Sequence, residues 1–237
     1  MLKCVTIKLR KGENIMKKIL CLIFAFLLLM TFASCNKKPE TEQTSVTTTE
    51  KQEEKYISDF QGVKVLEKFS ETTENGNVSA VIIKNTTDKT LQYSTLTENF
   101  SDGTVYSYTA STIPPGEACI VTEDSESPFK DNSPSTFSDK AVAFFQQEPS
   151  VYNDTLQYSG ADSILTVKNK SDKDITENIV IYYKDYAESR FTSGVTYRVT
   201  IEDGLKSGEI KQIPAKHFVN GKSMIMFAQF VDMTEVQ

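Results

Sequence analysis

The chain has 237 residues, 32 of them acidic and 26 basic, for a formal net charge of −6. That balance works against nucleic acid and anionic lipid head groups as partners, because both would be repelled. With one histidine and four cysteines, there is little material for Ser–His or Cys–His catalysis or for a metal cage.

The first element in chain order spans residues 16–35. Met16-Lys17-Lys18 precedes an apolar run, 19–30, and then Thr31-Phe32-Ala33-Ser34-Cys35. A short basic region, an apolar stretch and small residues before a cut are the marks of an export signal. The run falls short of the roughly 20 apolar residues that cross a bilayer. Residues 1–15 fit this signal poorly, since Glu13 and Asn14 would sit in an overlong basic region. Lys11-Gly12-Glu13 can be encoded by a purine run containing GGAG, a ribosome-binding sequence, so translation is expected to begin at Met16.

The pattern resembles the lipobox of bacterial lipoproteins. Ala33, Ser34 and Cys35 match it, and Phe32 stands where a Leu-like residue is usual. The resemblance implies a leader over 1–34, cleavage before Cys35, lipidation of Cys35, and anchoring to a membrane on its extracytoplasmic face. Without residues 1–34 the chain carries 20 basic and 31 acidic residues, a net of about −11. Cys4 and Cys21 leave with the leader. Cys119 is then alone, unable to form an intramolecular disulfide, and is expected as a small buried apolar residue in Ala118-Cys119-Ile120-Val121.

From 36 to 58 the only apolar residues are Val46, Tyr56 and Ile57. Such a segment cannot bury a core. Residues 35–58 are therefore expected to be a lipidated cysteine and a disordered tether, with a root-mean-square span of roughly 25–30 Å.

Beyond the tether, short runs rich in Val, Ile, Tyr, Phe and Thr predict strands at 78–84, 91–97, 105–109, 118–121 and 141–147, then at 164–168, 175–183, 195–201, 210–213 and 224–231. Asn75-Gly76, Asp102-Gly103, Pro115-Gly116, Asp203-Gly204 and Asn220-Gly221 supply turns between them. The chain also repeats itself. Residues 81–90 match 165–174 without a gap, 113–117 correspond to 205–209, and 143–146 to 226–229. The same order of matches implies one fold used twice, with modules over 59–149 and 150–237. Closely spaced strands without a helical stripe predict an all-β chain of two tandem antiparallel β-sandwich modules of immunoglobulin-like type.

The turn Lys168-Asn169-Lys170-Ser171-Asp172-Lys173, the long strand ending in Tyr182-Tyr183-Lys184-Asp185 and the later Ser207-Gly208-Glu209 together resemble the FxLYD-type extracellular domains of Gram-positive bacteria. In the second module this covers most of 163–213. The first is more degenerate, with Glu98-Asn99-Phe100 at the corner. The resemblance implies Ig-like modules on a Gram-positive cell surface, and it carries no catalytic residues.

No Gly-x-Ser-x-Gly elbow, phosphate loop, His-Glu-x-x-His or Cys-x-x-Cys occurs. His217 lies in a polar connection. Glu123-Asp124-Ser125-Glu126, with Asp131, is the densest acidic cluster, but it lacks the glycine of a calcium loop and is expected as a solvated loop. Asp172 and Asp174 sit where a turn wants Asp. No cofactor and no metal are expected. Alternation puts Tyr182 and Tyr183 on opposite faces of one strand. One is expected inside and the other exposed, so Tyr182, Tyr183 and Tyr186 are the candidate contacts for an extracellular protein or a cell-wall glycan. The expected function is that of a non-enzymatic binding or scaffolding module of the cell envelope. The alternatives are a carboxylate-using cell-envelope hydrolase and a solute-capturing lipoprotein, of which the latter calls for larger α/β lobes.

Overall fold

Period-two alternation of apolar residues, broken by turns at Gly, Asn and Asp, folds the chain strand after strand. A computed structural model describes residues 55–74, 76–131 and 133–232. The leader, Cys35 and the tether as far as residue 54 lie outside the described residues. Fourteen strands and no helix occur among those described. The first half holds β1 (Ser58–Phe60), β2 (Val63–Thr73), β3 (Gly76–Asn85), β4 (Leu91–Phe100), β5 (Val105–Ile113), β6 (Ala118–Thr122) and β7 (Ser135–Phe144). The second holds β8 (Leu156–Ala161), β9 (Ile164–Asn169), β10 (Asn178–Ala187), β11 (Arg190–Phe191), β12 (Tyr197–Ile201), β13 (Ile210–Pro214) and β14 (Ser223–Val231).

Every strand predicted from the sequence overlaps one of these, whereas β1, β2, β8 and β11 were not predicted. The reason is clearest in β2. Val65 pairs with Ile83 but Glu67 pairs with Ile82, so Leu66 is an extra residue that breaks the alternation. Val63 and Val65 face the core before this bulge. Beyond it Lys68 faces inward, while Glu67 and Phe69 lie opposite Ile82 and Ala80 on the outer face. The strand predicted at 141–147 begins earlier, at Ser135, because its first half is a polar edge strand pairing only with β4.

The two halves have the same order of strands. In the first, β3 lies between β2 and β6, and β4 between β5 and β7; in the second, β9 lies between β8 and β13, and β10 between β12 and β14. All of these pairings are antiparallel. Inward side chains from each pair of sheets meet in an apolar cluster. Val81, Ile83, Leu91, Leu96, Tyr108 and Val121 build the first, and Leu165, Val167, Ile179, Ile181, Tyr183 and Phe218 build the second. Burying such side chains contributes roughly 1.5–3 kcal/mol each, which offsets the entropy of ordering the strands.

One device appears twice. Asn85 is fully buried at the end of β3, and its Nδ2 donates to the carbonyls of Lys89 and Ile113, at 2.8 Å each. Its Oδ1 accepts from the amide and hydroxyl of Thr87. Asn169, also fully buried, donates to Lys173 and Leu205 and accepts from both groups of Ser171. The backbone follows suit: Gly116 N donates to Asn85 O, and Gly208 N to Asn169 O. Each asparagine thus pins its own turn to the turn before the next sheet strand, and it leaves no buried polar atom of its amide unpaired.

The halves meet edge to edge through β11. Phe191 forms a parallel bridge with Cys119 of β6, while Tyr186 and Ala187 pair antiparallel with Phe191 and Arg190. Sheet pairing therefore runs unbroken from β1 to β12. Phe191, Met226 and Phe227 of the second half belong to the first half's cluster. The described residues accordingly make one compact unit.

Candidate functional site

Both faces of β10 are covered, and this decides the fate of its tyrosines. Ile179, Ile181 and Tyr183 enter the second cluster, whereas Tyr182 and Tyr186 pack against the first. Tyr183 is 1% exposed, with Tyr197 and Phe218 around its ring. Tyr182 stacks on Phe227 at 4.2 Å between ring centres, and its hydroxyl donates to Gln229. Tyr186 stands edge-on to Phe191 and donates to Glu117. Alternation predicts one exposed ring in the Tyr182/Tyr183 pair. Instead Tyr183 is buried and Tyr182 partly so, because the face opposite the second core abuts the first half. Cys35 lies outside the described residues.

Lys184, the next residue on that far face, is fully buried. Its Nζ donates to the carbonyls of Ser111 at 2.7 Å and Gly194 at 3.3 Å. It lies 3.7 Å from Cys119 Sγ and 5.3 Å from the centre of the Phe191 ring. Desolvation holds the ammonium below the usual lysine range and pushes the Cys119 thiol above its own. Gly194 has to be glycine here, since a Cβ would stand 2.4 Å from Thr109 O.

On the outer face of the same junction lies an open groove of about 440 Å³. Its floor is apolar: Phe69 of β2, Ile82 of β3 and Ile120 of β6. The Leu66 bulge aims Glu67, Phe69 and Glu71 toward it together. Glu67, Glu71 and Glu188 rim it against a single arginine, Arg190. Glu71 is the most informative of these. One of its carboxylate oxygens is buried without a hydrogen-bond partner, and desolvation raises its pKa. An apolar floor with a surplus of acid and an unanswered acceptor suits an apolar ligand that carries a donor, ideally a cation.

The first core holds a second polar arrangement. Glu98, fully buried, accepts from Lys68 Nζ at 2.7 Å, from Tyr108 at 2.8 Å and from the Ser135 hydroxyl. Tyr108 also bonds Ser79, and burial drives its phenol well above the ordinary range. Every carboxylate oxygen of Glu98 is thereby engaged in holding β2, β5 and β7 to β4.

Other groups singled out in the sequence serve the fold. Glu123, only 4% exposed, accepts the amides of Ser107, Ser125 and Ser127, so it organises its loop from inside and is not solvated. Asp124 accepts the amide and hydroxyl of Thr109, and Asp174 the amide of Ser207. His217 stacks on Tyr197 at 4.3 Å. Among the described residues, no three His, Cys, Asp or Glu side chains come together as a metal cage would require.

The sequence reading missed Lys184, Glu98 and the Glu67–Glu71 rim. Glu98 carried a usable signal, since it sits between Leu96 and Phe100 at inward parity. Lys184 did not, because its burial depends on the other half of the chain. No protein-family model, curated protein or solved structure matches this chain.

Proposed function

We propose that this protein is a membrane-anchored extracytoplasmic lipoprotein, lipidated at Cys35, whose two immunoglobulin-like sandwich modules act as a non-enzymatic binding module of the cell envelope. The observation that carries the reading is the groove over Phe69, Ile82 and Ile120. It lies on sheet pairing that continues through both halves, and its rim holds three glutamates against one arginine. Charge complementarity favours an extracellular protein that presents a lysine or arginine beside apolar residues. Acyl chains on Cys35 would hold this surface at the membrane while the tether keeps it at a distance.

The test compares wild type with the Glu67→Gln/Glu71→Gln variant in capture of partners from intact cells. The variant should lose most of the captured material and keep its thermal midpoint, because the rim glutamates do not support the core. Equal capture by both proteins would remove the groove from the account.

One observation favours the hydrolase alternative. Phe69 stands between Glu67 and Glu71, and the raised pKa of Glu71 is what a general acid needs. Release of sugar from cell-wall glycan, abolished by Glu71→Gln, would establish it.

A further inference from the structure

Cys119 and Lys184 are two reactive side chains enclosed together where the halves join. Both are fully buried, and Nζ lies 3.7 Å from Sγ. The partners of Nζ are carbonyl oxygens, not a carboxylate, so no counter-ion fixes the lysine as an ammonium. The thiol is oriented by the carbonyl of Ser193 at 3.0 Å, and Cys119 is the one free cysteine among the described residues. Its oxidation therefore has no neighbouring thiol to end on as a disulfide, and an amine stands in that place.

We propose that dioxygen links these two side chains through a single oxygen atom, as a nitrogen–oxygen–sulfur bridge between Lys184 and Cys119. The lysine reacts as the neutral amine, the form that burial favours. The S–H bond of Cys119, one N–H bond of Lys184 and the O–O bond break. The S–O and O–N bonds form, and the second oxygen atom leaves as water with the two hydrogens. Sulfur and nitrogen together give up the four electrons that dioxygen accepts. Dioxygen is small and apolar and partitions into the interior around Phe191. An oxygen bridge also needs less closure of the 3.7 Å gap than a direct S–N bond, and the flexible lysine stem can supply it. The product ties β6 of the first half to β10 of the second, covalently and reversibly, where no disulfide among the described residues does so. This bridge is independent of what the outer groove binds.

The full chain, purified without air and then divided between anaerobic and air-saturated buffer, provides the test. Each sample is denatured, alkylated, cut with a protease that spares lysine, and read by tandem mass spectrometry. In the aerated sample the Cys119 and Lys184 peptides should appear joined, heavier than their sum by about 14 Da, for one oxygen gained and two hydrogens lost on the oxidation ladder. Dithiothreitol should return the two separate peptides, and the loss of alkylatable Cys119 should match the joined fraction. Lys184→Arg should keep its alkylatable thiol under the same aeration. If that variant does not fold, the wild-type spectrum still decides, because it reads the bond directly. Full alkylation of Cys119 after aeration, or its oxidation to sulfinic or sulfonic acid with no linked peptide, would overturn the proposal.

Discussion

The two halves share a frame and differ in what fills it. Asn85 and Asn169 make the same hydrogen bonds to equivalent turns, and the strands on either side follow in the same order. Between the sheets, however, the first half encloses Glu98 with Lys68, Tyr108 and Ser135, whereas the second encloses the rings of Tyr183, Tyr197 and Phe218. The frame rests on backbone groups answered by one amide side chain, so the filling can change from polar to aromatic without altering strand order.

The sharpest way to break the comparison is Lys68→Met. It leaves Glu98 buried without its cation and is expected to cost about 3–5 kcal/mol in denaturant unfolding, as removal of one partner from a buried pair does. If the variant loses no more than an ordinary surface change would, the polar interior is not what holds the first half together.

Asn85→Ala and Asn169→Ala ask whether the shared device carries equal weight. Each leaves buried carbonyls and turn amides unanswered, and each should cost about 2–3 kcal/mol. Chemical denaturation of both variants checks this. A large loss at one site and almost none at the other would show that the likeness is geometric only.

Gly194→Ala probes the place where the halves touch. Its new methyl would meet the backbone oxygen of Thr109, which cannot swing aside, so a loss of about 1–2 kcal/mol is expected from the strain. Hydrogen exchange should quicken first at Ser111, whose amide donates to Gly194 O.

The smallest effect belongs to Glu71→Gln. Desolvation raises the folded-state pKa of Glu71, so the folded protein holds this proton to higher pH than the unfolded chain does. Its contribution is present below the unfolded value and is lost as pH rises through the folded one. The variant should flatten that decline and leave stability at neutral pH unchanged or slightly higher. A steeper decline with pH in the variant would reverse the assignment.

Legibility in the sequence followed how local each feature is. The continuous apolar run at 81–83 and the alternation at 165–168 could be read from their own residues, and so could the Lys-Asn turns. β2 could not, because the extra residue Leu66 shifts the parity between Val65 and Glu67. β8 was hidden by Gly160, which close contact with Phe218 and Ile164 O requires to lack a side chain. The tyrosines of β10 were correctly placed on opposite faces, yet the exposed face was an assumption about water that the first half displaces. The groove was illegible for the same reason. It gathers residues from β2, β3, β6 and the β11 region, and only the junction brings them together.

Hydrogen exchange of the chain with and without a solubilised envelope fraction tests the central claim most directly. The account predicts slowed exchange in β2 at residues 67–71, in β3 around Ile82, in β6 around Ile120 and at 187–192, and little change elsewhere. Protection confined to another face, such as Tyr93, Thr95 and Thr97 on β4, would contradict it.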